Sequence, residues 1–286
     1  MRVSRLAASA FLALAFPVLA SAQGRGGGSG GNTNTPGSRR PTAPAHSALP
    51  SSAVGAPATT GAVPFAWIDD ASMLAPGSVA LSISAFRWQG TDTSEVDLPV
   101  VGISVGATSR LQLGASIPRV MDNAGAGIAG GLGTTYISAK IGLLTGDTVK
   151  LAVAPTLEIL GEGALQSFTA GERRTQFGVP VSIEGDSGIV RAFASGGGFS
   201  PGIWFAGGGL GVQASPKVAV SGSVSRGWTS TSTSRLIASS RQEVSGTLAY
   251  SPTSRVSLFG SIGRTFATTD ENGAGTTVSG GVVFVR

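Results

Sequence analysis

The chain has 286 residues, 12% of them charged and 6% aromatic, with 44 glycines, one histidine and no cysteine. Without a thiol it holds no disulfide scaffold, zinc-thiolate site, redox CxxC pair or lipid-anchored cysteine, and at 41% hydrophobic residues it is not a chain disordered throughout. The net charge of +5 resides in residues 1–64, where Arg2, Arg5, Arg25, Arg39 and Arg40 have no acidic counterpart; residues 65–286 carry 15 basic and 15 acidic side chains, with no basic stripe among aromatics, so nucleic acid is not an expected partner.

Residues 1–22 open with Arg2 and Arg5, continue as an apolar run from Leu6 to Ala20 and end in Ala20-Ser21-Ala22, the three-part pattern of a secretory signal peptide cleaved near Ala22. The run is shorter than the ~20 residues a membrane-spanning helix needs, and no later stretch reaches ~18 uninterrupted apolar residues. Residues 23–64 are dominated by Gly, Ser, Pro, Thr and Ala, too polar and too rich in breakers to offset the entropy of ordering. They read as a disordered tether, a passive linker or one that reaches the cell wall. Residues 65–77, with Trp67, Asp69, Asp70 and Met73, read as a short helix that either plugs the C-terminal domain or lies at its rim.

From residue 78 the pattern becomes strict alternation of apolar with small or polar residues, as in Val79-Ala80-Leu81-Ser82-Ile83 and Lys217-Val218-Ala219-Val220-Ser221. Twelve such strands are expected, at 78–87, 96–107, 110–118, 133–143, 149–160, 173–184, 188–198, 202–214, 217–227, 241–250, 255–266 and 275–285. Every second connection is a tight turn: Thr108-Ser109, Thr145 to Thr148, Gly185-Asp186-Ser187, Ser215-Pro216 and Ser251 to Ser254. The others are longer, Phe199-Ser200-Pro201 excepted. Arg110, Lys150, Lys217 and Arg255 follow tight turns and read as solvated rim charges. Aromatics gather at strand ends: Trp88, Tyr136, Trp204, Trp228 and Phe266 on the long-loop side, Tyr250 and Phe284 on the turn side. They are expected to form interfacial girdles.

One stripe of every strand is Val, Leu, Ile and Ala, and the opposite stripe is Ser, Gly, Ala and Thr. A soluble β-protein surface carries ~25–35% charge, and this stripe does not. With segregated loop lengths and the N-terminal export pattern, residues 78–286 resemble the bacterial outer-membrane β-barrel proteins. The resemblance implies an all-β fold: a transmembrane, antiparallel, up-and-down barrel of about twelve strands, apolar outside, with both termini periplasmic. It implies as partners outer-membrane lipid and small solutes, with no cofactor or metal. The expected function is a passive or weakly selective channel, twelve strands leaving space where eight are filled; the competing reading is an anchoring protein with a closed or plugged barrel. The last strand carries Val278, Gly280, Val282 and Phe284, then continues to Val285-Arg286 where such proteins usually end on an aromatic.

The alternation places Lys140, Lys150, Glu158, Arg174, Glu184 and Glu243 on the small, polar stripe, where they are expected to line the pore in nearly balanced charge. Enzymatic motifs fail on context. Gly102-Ile103-Ser104-Val105-Gly106 matches GxSxG, but lies inside a strand, and the one histidine, His46, is in the tether. Gly125 to Gly130 matches GxGxxG, but precedes a strand where dinucleotide binding needs a helix. Asp69 with Asp70, and Glu158 with Glu162, are the carboxylate pairs left for acid-base chemistry, and no catalytic residue is expected.

Overall fold

A computed structural model of the chain describes residues 70–90, 94–124, 131–161, 175–200, 202–229, 240–268 and 274–286. Residues 1–22, read from the sequence as a signal peptide, residues 23–64, read as a tether, and residues 65–69 lie outside the described residues.

Among the described residues fifteen strands follow one another: β1 (Val79–Gln89), β2 (Ser94–Thr108), β3 (Leu111–Ala124), β4 (Gly131–Leu132), β5 (Thr135–Thr145), β6 (Val149–Val153), β7 (Thr156–Ile159), β8 (Thr175–Gly178), β9 (Val181–Ser187), β10 (Val190–Phe199), β11 (Ile203–Ser215), β12 (Val218–Thr229), β13 (Ser240–Thr253), β14 (Val256–Thr268) and β15 (Thr276–Val285). All pairings are antiparallel. Three staves are made of two collinear pieces: β4 and β5 both pair with β3, β6 and β7 both pair with β5, and β8 and β9 follow them onto β10. The last stave returns to the first, from Ala80↔Val285 to Gln89↔Thr276. The result is a closed barrel of twelve staves.

Period-two alternation dictates the two faces. In β1, Ala80, Ser82, Phe86 and Trp88 are buried inside while Val79, Leu81 and Ile83 are exposed outside. The outer wall is apolar around the waist; Ile262 is 59% and Leu248 56% exposed. Such a surface suits hydrocarbon, and closure pairs the first and last staves so that no strand edge is left open. Among the described residues no helix is long and apolar enough to cross a membrane.

The staves are staggered. The line of paired residues Ala192, Leu210, Gly222, Gly246, Ile262, Val278 and Arg87 starts near the turn end of β10 and finishes near the loop end of β1. This climb is the register shear that tilts strands in a closed barrel. Short connections at 109–110, 146–148, 188–189, 216–217 and 254–255 lie on one rim with residue 78 and Arg286. The strand ends at Gln89, Ser94, Ala124, Phe199, Ile203, Ser240, Thr268 and Thr276 form the other rim.

Local differences from the sequence expectation have identifiable causes. Gly133-Thr134, Ala154-Pro155 and Val179-Pro180 interrupt three consecutive staves; proline has no N–H to give a ladder. Backbone bonds such as Ala139 N to Pro155 O (3.0 Å) and Ala154 N to Pro180 O (2.8 Å) bridge the gaps. Gly185-Asp186-Ser187, expected as a turn, belongs to β9. The chain reverses instead at Gly188, whose φ of 74° suits glycine and whose N–H donates to Asp186 Oδ1 (2.9 Å). The third stave runs past residue 118 to Ala124.

Candidate functional site: the barrel interior

Residues 70–77 are not helical. Asp70 Oδ1 accepts from Ser72 N (3.0 Å), a local turn that competes with helix. Ala75-Pro76-Gly77-Ser78 closes a second turn, with Ser78 N donating to Ala75 O (3.0 Å) and Gly77 at φ 78°. The segment between these turns lies inside the barrel at its turn-side mouth. Asp70, Ala71, Ser72 and Leu74 are all buried. Leu74 N donates to Gln112 Oε1 of β3 (2.8 Å), and Ser182 Oγ of β9 donates to Asp70 O (3.0 Å). Gly77 N donates to Gly106 O (2.7 Å), and Gly106 N returns a bond to Ser78 O (2.9 Å).

An ionic cluster holds the segment to the wall. Lys140 of β5, 1% exposed, lies with Nζ 3.6 Å from Asp70 Oδ1. Glu184 of β9 takes Lys150 Nζ (2.9 Å) and Arg191 Nε (3.3 Å) on Oε1 and Ser72 Oγ (2.8 Å) on Oε2. Lys150 also donates to Ser72 Oγ (3.2 Å), and Arg191 Nη2 lies 3.6 Å from Asp186 Oδ2. Burying a carboxylate away from water is strongly unfavourable unless its lone pairs are taken; Glu184 meets that condition. The cluster balances three cations, Lys140, Lys150 and Arg191, against three acids, Asp70, Glu184 and Asp186.

The loop-side half holds a separate group. Glu158 of β7 is buried against Tyr136 of β5, whose hydroxyl donates to it. With its amide nitrogen turned to the two acceptors, Gln176 of β8 donates to Glu158 Oε2 (3.1 Å) and Ser200 O (3.0 Å). Glu243 of β13 accepts from Thr277 Oγ1 (3.2 Å). Arg241 lies with its guanidinium 5.2 Å from the Trp88 ring centroid. Gly90 and Gly275 flank that indole, where any added Cβ would overlap it. Between the two groups the inner wall of β12 to β15 is hydroxylic, with Ser223 to Ser245 and Ser261 to Ser279 contacts of 2.7 Å.

Of the pore-lining candidates, Lys140, Glu158 and Glu184 are buried inside and Lys150 and Glu243 half-buried; Arg174 lies outside the described residues, as does Glu162. Trp204, Tyr250, Phe266 and Phe284 are exposed on the outer wall and Trp228 is half-buried there. Trp88 and Tyr136 are corrections to the girdle. They face inward, 3% and 5% exposed, because each shares the parity of its stave's inner stripe. Variants keeping a single tryptophan should separate the two positions: brominated lipid quenches Trp204 and leaves Trp88 unaffected. Equal quenching would overturn the inward placement of Trp88.

Sequence reasoning missed Gln112, Arg191 and Arg241. Arg191 shares parity with Phe193 and Ser195, so counting in twos along β10 marks it as inward. Ser104, of the GxSxG match, is buried mid-strand in β2. His46, Asp69 and the GxGxxG glycines lie outside the described residues.

A closed barrel with an apolar exterior, a polar interior and tight turns on one rim is the fold of outer-membrane β-barrels. Solved structures of similar shape bear this out at low sequence identity. One is an outer-membrane channel from Pseudomonas putida F1 (TM-score 0.61, 14% identity, 76% of this chain and 98% of that chain). Another is the KdgM porin (TM-score 0.50, 9% identity, 71% of this chain and 98% of that chain). At these identities the likeness is one of fold. The sequence matches no protein-family model and no curated protein.

Proposed function

We propose that this protein is an outer-membrane channel through which small solutes pass with weak charge selectivity. The observation that carries the reading is the hydroxylic mid-barrel wall inside a closed ring of twelve staves, which offers hydrogen bonds to a solute without fixed charge. Lys140, Lys150, Glu158, Arg174, Glu184 and Glu243 are its pore-lining candidates. The pairing of the first two with Asp70 and Glu184 supports weak selectivity, since each positive charge is answered locally. Residues 1–22 direct export, residues 23–64 tether the N-terminus on the periplasmic side, and no enzymatic step is assigned.

The position of residues 70–76 supports a second reading, in which this segment closes the barrel and the tether anchors it to the cell wall. Planar-bilayer recordings of the purified mature chain separate the two. The channel reading expects discrete, stable current steps with a reversal potential near zero in a salt gradient. Silence from protein shown to have inserted would overturn it in favour of the closed barrel.

A further inference from the structure

The outer wall carries one feature that conduction does not explain. Arg87 on β1, Arg119 on β3, Arg226 on β12 and Arg264 on β14 are all exposed on the outward stripe, near the loop-side rim. They occupy every second stave of the run β12, β13, β14, β15, β1, β2, β3. Their register offsets follow the stagger of the barrel. Arg226 pairs through Gln242 with Ala267, three residues loopward of Arg264. Arg264 pairs through Thr276 with Gln89, two residues loopward of Arg87. Arg87 pairs through Val96 with Asp122, three residues loopward of Arg119. Each step down the chain offsets the climb of the paired line, so the four side chains stand at one height around this half of the barrel.

Among the acidic strand residues whose side chains are described, none stands on the outer wall. Asp97, Glu158, Glu184 and Glu243 face inward and Asp147 sits in a turn. On the opposite half, outward positions near the same rim are apolar, as at Ile137, Ile159, Phe177 and Trp204. The arc is therefore local, which a uniform anionic surface would not call for. Two of its members are braced. Arg87 Nη2 donates to Gln89 Oε1 (3.0 Å); Arg226 Nε donates to Ser240 Oγ (3.3 Å), and its guanidinium lies 5.6 Å from the Trp228 ring centroid. Each braced guanidinium keeps N–H groups for an oxyanion, and its planar fork suits phosphate.

We infer that this arc binds the phosphorylated headgroup of a bisphosphorylated glycolipid in the outer leaflet of the outer membrane. The loop side of such barrels faces the cell exterior, and acyl chains below the headgroup would lie on the apolar waist. Staves two apart are separated laterally by about 10 Å, a span on which one headgroup with two phosphates engages two arginines at once. A phospholipid with a single phosphodiester engages one. The inference goes beyond solute passage and does not depend on whether the lumen conducts.

The test uses the full mature chain in phosphatidylcholine nanodiscs doped, at equal total charge, with bisphosphoryl lipid A, monophosphoryl lipid A or phosphatidylglycerol. Lipids retained per barrel are read by native mass spectrometry. Bisphosphoryl lipid A should be retained about tenfold better than either competitor, the scale set by one additional charge-assisted hydrogen bond. The triple variant R87Q/R226Q/R264Q should lose that advantage while keeping the heat-modifiable gel mobility of a folded barrel. Equal retention of phosphatidylglycerol would overturn the inference, as would undiminished retention of bisphosphoryl lipid A by the folded triple variant. The comparison of lipids on the unaltered protein stands even if that variant fails to fold.

Discussion

Deleting residues 23–76 from the mature chain should raise its single-channel conductance severalfold. The segment at 70–76 takes up the turn-side mouth of the barrel, held by Gln112, Lys140, Ser182 and Glu184 from three different strands. Removing it leaves the wall intact, because none of the strand ladders uses it. A point substitution should act in the same direction. A side chain at Gly106 points at the segment, its Cβ overlapping the carbonyl of Ala75 and lying 2.9 Å from that of Leu74. Gly106→Val therefore expels residues 74–75 from the wall. Gly114→Ala serves as the control, since its Cβ meets only the hydroxyls of Ser138 and Ser104 (3.1 and 3.3 Å) and a carbonyl at 3.7 Å. Recordings in which deletion and Gly106→Val both match the unaltered chain would show that the segment does not restrict passage.

A charge placed at the waist should cost far more than the same charge at the rim. Leu248 and Ile262 lie mid-stave on the outer stripe, 56% and 59% exposed, whereas Phe266 lies on the same stripe two residues from the end of β14. Leu248→Arg or Ile262→Arg should destabilise the folded barrel by about 2–4 kcal/mol in a lipid bilayer, against about 0–1 kcal/mol for Phe266→Arg. Reversible urea titration in phosphatidylcholine vesicles measures both. If the waist and rim variants cost the same, the apolar stripe is not in contact with hydrocarbon.

Most of the barrel was legible because its wall obeys one rule. Residues such as Leu81, Ile103, Leu248 and Ile262 recur at period two opposite serine and glycine, and tight turns alternate with longer connections. Lipid outside and water or protein inside leave no other arrangement of that pattern. The interior was legible only in part. Lys140 and Glu184 followed from parity, but their partners Asp70 and Ser72 come from an irregular segment whose path is set by tertiary contacts. Its local conformation did carry a signal: Pro76-Gly77 between Ala75 and Ser78 is turn chemistry, which argues against a helix through residue 77. Trp88 and Tyr136 were misplaced for a different reason. Residue type favoured the membrane interface, whereas counting in twos from Ala80 to Trp88 keeps the indole on the inner stripe. In a barrel whose interior takes aromatics, parity outranks residue type. The proline breaks at 155 and 180 were visible as residues, but their alignment in neighbouring staves required the register.

The same inward segment has a bearing on how the protein is built. It is covalently joined to the first stave, yet its partners are distributed along the chain, Gln112 on β3, Lys140 on β5, Lys150 on β6, Ser182 and Glu184 on β9. Arg191, on β10, then shares Glu184. A growing sheet that has reached only β5 offers Asp70 its lysine and the Leu74 amide its acceptor, but leaves Ser72 without its carboxylate. Docking is complete only when the staves through β9 stand in their final curvature. Residues 70–76 thus distinguish a sheet that has reached only β5 from one that extends through β9, and their protection from a periplasmic-side protease would time that step during biogenesis.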